Sequence, residues 1–289
     1  MPVNPAYRGF LKALDAIAQG ADPWSAYQRH YLGPQRAKVL AYWRQVWGIE
    51  EERLRQVIAD LRPGDYASLQ HTLQRDVGTP TGEDVPTAEA LAAEAVARCA
   101  PLIGLPEPQV DLLIGRFSPD AFLFEVAGQW HIGVGLERFA EFSLLPLLVA
   151  HEYGHYARRL LAPEPATLAD RLVAEGIAVA FAQVAYPEQP LTRHLRMTPR
   201  RLHEIAELKP ELWAALRPHL DAPYSDAFAG IVSGGRRWRD YPPRFGCHLG
   251  YMAVRAFARM HGLSPAGREV LAAPASIVLV AGPAARSAR

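Results

Sequence analysis

A segment in the middle of the chain carries three ionisable side chains among apolar neighbours. In LLVAHEYGHYARRLLA, residues 147–162, these are His151, Glu152 and His155. Residues four apart share one face of a helix, so the two imidazoles can reach one metal ion. Glu152 can then reach a water molecule on that ion. The spacing predicts a hydrolytic metal centre of the HExxH type.

The burial of these groups supports the same interpretation. An unsatisfied buried polar group costs about 1–3 kcal/mol, and a carboxylate between two buried imidazoles adds to that cost. A bound metal ion offsets it. The alternative is a helical scaffold in which the five-residue motif arose by chance.

A third ligand is predicted downstream, because a catalytic zinc site has three protein ligands and one open position. Glu175 is the only charged residue in LVAEGIAVAFA, and nineteen residues separate it from His155. That length can end one helix, turn and return antiparallel with Glu175 facing the histidines. The alternative is an ion pair between Glu175 and Arg171, one helical turn earlier.

Two helices must position these ligands. The first is predicted from about Ser143 to Leu161, where APEP ends it. The second begins with Thr167 as its N-cap, and Asp170 completes a capping box. Gly154 costs about 1 kcal/mol relative to alanine inside a helix. It either permits another element to approach closely or is merely tolerated.

The remaining sequence divides into a helical region, 1–85, and a second domain, 86–289. GTPTGEDVPT, residues 78–87, marks the boundary because glycine and proline interrupt regular structure. Three strands are predicted from QVDLLIGRF, AFLFEVAG and QWHIGVGLE, and helices follow them. The expected fold class is α+β, with a small mixed sheet.

The third of these strands is expected to lie at an edge of the sheet, beside the metal. Gly133 and Gly135 belong to the same face of this strand, and because they have no side chains they leave that face open for close approach. A peptide substrate is expected to add there as a further strand.

The metal motifs resemble those of a known group of enzymes. HEYGH at 151–155, the nineteen-residue gap and EGIA from Glu175 are similar to the gluzincins, the thermolysin-like HExxH metallopeptidases. The closer resemblance is to a family of predicted bacterial zinc-dependent proteases, and it covers roughly residues 108–262. It implies a zincin-like domain in which His151, His155 and Glu175 bind one zinc ion. Glu152 is then the general base.

The resemblance also implies a hydrogen-bond donor for the oxyanion, supplied by a tyrosine or histidine of a later helix. RFGCHLGYMAVRAFARMHG offers His248 and Tyr251, three residues apart on one helical face. Tyr241 and Arg244 are further candidates. Cys247 and His248 depart from the family's usual tyrosines in this segment.

Composition excludes several other classes of protein. The formal net charge is +1 and there is no basic stripe, so neither nucleic acid nor an anionic membrane surface is an expected partner. The two cysteines, Cys99 and Cys247, do not form a disulfide framework. Neither a signal peptide nor an apolar run long enough to span a membrane is recognisable, so a cytoplasmic protein is expected.

The most direct interpretation is zinc-dependent hydrolysis of peptide bonds in a peptide or protein substrate. A different class also fits the motif: a zinc-binding regulatory or interaction protein that keeps the site without protease activity. The presence of Glu152 favours the enzyme, because metal binding alone does not require that base.

Overall fold

The computed structural model describes residues 3–76, 86–116, 118–232, 238 and 240–281. The predicted boundary segment lies almost entirely outside these residues. The described residues fall into two compact units, one within Met1–Ala97 and Pro106–Glu152, the other within Arg98–Leu105 and Tyr153–Arg289.

Helices make up most of the described chain. The described helices are α1 (Tyr7–Ala18), α2 (Pro23–Tyr27), α3 (Arg36–Trp47), α4 (Glu51–Ala59), α5 (Ala67–Asp76), α6 (Ala88–Cys99), α7 (Leu145–Leu161), α8 (Leu168–Ala185), α9 (Leu191–His194), α10 (Pro199–Glu207), α11 (Lys209–Leu216), α12 (Ala229–Val232), α13 (Phe245–Met260), α14 (Arg268–Ala272) and α15 (Ala275–Ala281). A π-helical turn, Gln28–Leu32, follows α2. None of the described helices is long and apolar enough to cross a membrane.

A four-stranded mixed sheet belongs to the first unit. Its strands are β1 (Val3–Asn4), β2 (Gln109–Leu113), β3 (Ala121–Val126) and β4 (Gln129–Gly135), in the order β1-β2-β4-β3. β1 pairs parallel with β2 and β2 pairs parallel with β4, whereas β3 and β4 are antiparallel. The predicted α+β class is confirmed by this sheet and the surrounding helices.

The expectation that QWHIGVGLE forms a sheet edge is wrong. β4 has a hydrogen-bonded neighbour on each side, β2 and β3, so no backbone edge is available to a substrate strand. Its glycines make room for side chains of the protein itself. A Cβ at Gly133 would lie 2.4 Å from the Phe122 ring, and one at Gly135 would lie 2.4 Å from Cβ of Ser118.

A buried polar network joins elements of the first unit around Asp111, a fully buried residue of β2. Its Oδ1 accepts hydrogen bonds from Asn4 Nδ2 at 2.6 Å and from Lys38 Nζ at 2.8 Å. Its Oδ2 lies 2.6 Å from Nδ1 of His131 on β4. The network therefore ties β1, β2, β4 and α3 to a single carboxylate.

The second unit is built on α8, whose whole central part is buried. α13 packs against α8 in close backbone contact. A Cβ at Gly250 would lie 2.0 Å from the carbonyl oxygen of Leu172, and one at Gly176 would lie 2.2 Å from the carbonyl carbon of Gly250. Only residues without a side chain permit two helices to approach so closely at this point.

Candidate metal centre

Helices α7 and α8 carry the predicted metal ligands. α7 ends at Leu161, as its sequence predicts. α8 begins with the predicted capping box, in which Thr167 accepts a hydrogen bond from the backbone of Asp170 and Asp170 accepts one from the backbone of Thr167. The capping box thus fixes the start of α8, where the connecting APEP segment ends.

The two helices bring His151, His155 and Glu175 together. One ligand atom from each residue lies within 4.8 Å of the other two. His155 Nε2 is 3.6 Å from Glu175 Oε1. Ligand atoms about 2.1 Å from a tetrahedral zinc ion are about 3.4 Å apart, so this separation fits zinc. Two imidazoles and one carboxylate are also a donor set used by catalytic zinc sites.

Close packing of the helices allows the ligands to meet. A Cβ at Gly154 would lie 2.9 Å from Cα of Ala178 and 3.0 Å from Cβ of Phe181. The ring of Tyr153 stacks on that of Phe181, with centroids 5.6 Å apart. Gly154 therefore permits the close approach that the sequence left open as one of two explanations.

Glu152, the predicted general base, follows His151 on α7. Its side chain is buried, with 9% of the residue exposed. A carboxylate in such surroundings is shielded from bulk water, so its electrostatic interactions with neighbouring groups are stronger than in solvent.

Glu175 lies both in the candidate ligand cluster and beside Arg171, its alternative partner. The carboxylate belongs to the ligand cluster, and its Oε1 also accepts an ion-paired hydrogen bond from Arg171 Nη2 at 2.8 Å. A carboxylate oxygen has two lone pairs, so one oxygen can bind a metal and accept a guanidinium N–H together. The ion pair and metal ligation are therefore compatible.

Cys247 was not predicted to belong to this site. The residue is fully buried on α13, and its Sγ lies 3.7 Å from Glu175 Oε2 and 3.4 Å from the carbonyl oxygen of Val232. Burial, reinforced by the negative charge of Glu175, raises the pKa of the thiol to about 12. The thiol therefore keeps its proton and can donate it. The sequence contained only an indirect sign of this contact: Gly176 on α8 and Gly250 on α13 permit these two helices to cross closely.

Tyr224 also lies in this neighbourhood without having been predicted. Its ring centre is 5.6 Å from the guanidinium carbon of Arg171. Burial raises the pKa of its hydroxyl, opposed by Arg171 and reinforced by Glu175 and Cys247. The residue lies in the segment between α11 and α12, whose sequence has no spacing relation to the HExxH motif.

The two predicted oxyanion donors, His248 and Tyr251, differ in their polar contacts. The Tyr251 hydroxyl donates to Gln183 Oε1 at 2.5 Å and accepts from Arg255 at 3.2 Å. His248 is buried, and its Nδ1 has no hydrogen-bond partner among the described residues. Burial, together with the charge of Lys209, lowers the pKa of His248.

The two further candidates for the oxyanion donor, Tyr241 and Arg244, lie just before α13 and have other contacts there. Tyr241 stacks on Trp238, with ring centroids 6.1 Å apart. Arg244 is the N-cap of α13 with a left-handed φ of 66°, and its backbone N–H donates to Gly230 at 3.1 Å. No contact of either residue with the ligand cluster is found in the described part of the chain, so the donor's identity stays a prediction.

Comparison with known proteins agrees with the site. A family model described as "Predicted Zn-dependent protease (DUF2268)" matches residues 126–279, which is more than half of the chain. No curated protein and no solved structure gave a match. The matched region contains both helices and all three clustered side chains. The chain therefore belongs to this family of predicted zinc-dependent proteases.

Proposed function

We propose that the protein is a zinc peptidase of the gluzincin type, with one zinc ion held by His151, His155 and Glu175. The observation that carries this proposal is the meeting of three ligand atoms within 4.8 Å, drawn from two helices. The order of the ligands along the chain and the glutamate directly after the first histidine match the gluzincin arrangement.

The donor set and its surroundings are consistent with hydrolysis. Zinc in such a site lowers the pKa of a bound water toward about 7 and polarises a carbonyl group. Glu152 accepts a proton from the attacking water and then delivers it to the leaving amine. Arg171 donates to Glu175 Oε1 and holds that carboxylate on the side of His155.

Two measurements test this function. Elemental analysis of the purified protein is expected to find about one zinc per chain, the number that a single three-ligand site holds. Glu175→Ala is expected to lose most of that zinc, because two imidazoles and water form a weak site. Unchanged zinc in this variant would remove Glu175 from the ligand set.

Glu152→Gln separates an enzyme from a metal-binding scaffold. The variant keeps the shape of the side chain and is expected to keep the zinc, but it lacks the base. Cleavage of a mixed peptide library is expected to fall by about 10²–10⁴. Glu188→Gln is the control, since Glu188 is an exposed residue paired with Arg98. Zinc-loaded wild type that is as inert as Glu152→Gln would favour the regulatory alternative.

A further inference from the structure

The two oxygens of the Glu175 carboxylate have different neighbours. Oε1 faces His155 at 3.6 Å and Arg171 at 2.8 Å. Oε2 lies 3.7 Å from Cys247 Sγ. A carboxylate that binds a metal through one oxygen can still rotate, and hydrogen bonds to its second oxygen limit that rotation.

Cys247 reaches Oε2 because of the crossing between α8 and α13. Gly176 follows Glu175 directly, and its backbone touches that of Gly250, which lies three residues after Cys247. The contact therefore joins residues 72 positions apart in the chain, at a point where the two backbones leave little space. A small side chain with a donor fits there, whereas a larger one would separate the helices.

We propose that Cys247 is a positioning residue for the metal ligand: its S–H donates to Oε2 of Glu175 and orients the carboxylate so that Oε1 faces His155. This inference rests on the proposed function, since it concerns zinc bound at that carboxylate. Cys247 itself does not ligate the metal or touch the substrate.

A second acceptor competes for the thiol proton. The carbonyl oxygen of Val232 lies 3.4 Å from Sγ, slightly nearer than Oε2. The carboxylate carries a charge, however, and hydrogen bonds to ionised acceptors are roughly twice as strong as those between neutral groups. With the proton on the Val232 side, sulfur lone pairs would face a carboxylate oxygen, which is unfavourable. The negative charge therefore makes Glu175 Oε2 the preferred acceptor of the Cys247 S–H.

Zinc affinity is the first measurement, because it does not depend on activity. Competition with a chromophoric chelator gives the Kd of wild type, Cys247→Ala, Cys247→Ser and Cys99→Ala. Loss of a partner that orients a ligand typically weakens metal binding by about 10–100-fold, and we expect this for Cys247→Ala. Serine keeps a donor on a shorter bond and is expected to recover part of the affinity.

Cys99→Ala is the matched control. Cys99 is the other cysteine, is equally buried and, like Cys247, has a thiol pKa raised to about 12 by burial. Its replacement removes the same atoms from a core and should lower the melting temperature similarly, but it should leave zinc affinity unchanged.

The S–H stretching band in the infrared spectrum gives a second, independent readout. In the Cys99→Ala background only Cys247 contributes to this band. Zinc binding at Glu175 alters the charge on its carboxylate, so the band is expected to shift on zinc loading. In Cys99→Ala/Glu175→Ala the shift should be absent. This readout uses the intact thiol and is informative even if Cys247→Ala folds poorly.

The possible outcomes separate the two proposals. A wild type that holds no zinc overturns the proposed function and this inference together. Zinc-binding wild type with equal affinity in Cys247→Ala and Cys99→Ala overturns the inference alone, as does a band that zinc does not move. Disappearance of the band on zinc loading would make Cys247 a thiolate ligand and would also overturn the positioning role.

Discussion

At the scale of single residues, the site is organised around one carboxylate. Glu175 is 6% exposed, yet it is in contact with a cation, a thiol and an imidazole. A buried carboxylate without partners would be strongly destabilising, and breaking one of its pairs costs several kcal/mol. The polar groups around Glu175 therefore stabilise a ligand that an apolar helix could not carry alone.

The oxyanion donor gives a prediction at this scale. His248→Phe is expected to lower kcat by about 10²–10³ with little change in KM, since the donor acts only in the transition state. Zinc content should be unchanged. Tyr251→Phe is expected to have the smaller effect, because its hydroxyl is held by Gln183.

Tyr224→Phe is the comparison variant, since this tyrosine packs near Arg171 in the vicinity of Glu175. Full kcat in both His248→Phe and Tyr251→Phe would remove α13 from oxyanion stabilisation. A loss confined to Tyr224→Phe would instead assign that role to the segment between α11 and α12.

At the scale of elements, close helix contacts decide whether the ligands meet. α7 touches α8 at Gly154, and α8 touches α13 at Gly176. Backbone atoms cannot move aside as the end of a flexible side chain can, so a methyl group at such a contact must separate the helices. The relative positions of α7, α8 and α13 thus depend on Gly154 and Gly176.

Gly154→Ala tests this dependence. Helix propensity alone would stabilise the variant by about 1 kcal/mol. The contact with Ala178 and Phe181 opposes this, and overpacking typically costs about 1–3 kcal/mol. We expect a lower free energy of unfolding, measured by urea denaturation, and weaker zinc binding, because α7 and α8 move apart.

Gly64→Ala is the matched control for that measurement. A Cβ at Gly64 would meet nothing within 4 Å, so only the backbone preference changes there. A Gly154→Ala protein that is more stable than wild type and binds zinc equally well would contradict the packing argument.

At the scale of the whole molecule, the Asp111 network gives a prediction about pH. Burial is the largest effect on this carboxyl and raises its pKa, but hydrogen bonds from His131, Lys38 and Asn4 together lower the pKa below the usual 3.8. A depressed folded-state pKa contributes stability above the unfolded pKa. That contribution is lost as the pH falls through the folded value.

Asp111→Asn is therefore expected to lower the free energy of unfolding by on the order of 3 kcal/mol near neutral pH. The difference from wild type should hold down to about pH 4 and shrink at lower pH, as Asp111 becomes protonated in the wild type. Denaturation curves between neutral pH and strongly acid pH measure it. Asp15→Asn, at an exposed position, is the control. If the difference in free energy of unfolding between Asp111→Asn and wild type does not change with pH in the acid range, the loss of stability comes from packing and not from the charge of Asp111.

The sequence by itself determined the elements that carry the chemistry. Helical spacing placed His151 and His155 on one face, the capping box fixed the start of α8, and alternation with glycine and proline marked three strands. These features are local: each depends on residues within a few turns of one another, so they can be read from the order of the chain.

The tertiary structure alone decided which distant residues meet. β4 is internal because it pairs with β2 on one side and with β3 on the other, so the second strand of the β3–β4 pair, not the first, lies beside β2. Cys247 faces Glu175 because α8 and α13 cross at Gly176 and Gly250. Such contacts depend on the packing of whole helices and strands, and neither residue spacing nor local propensity contains that information.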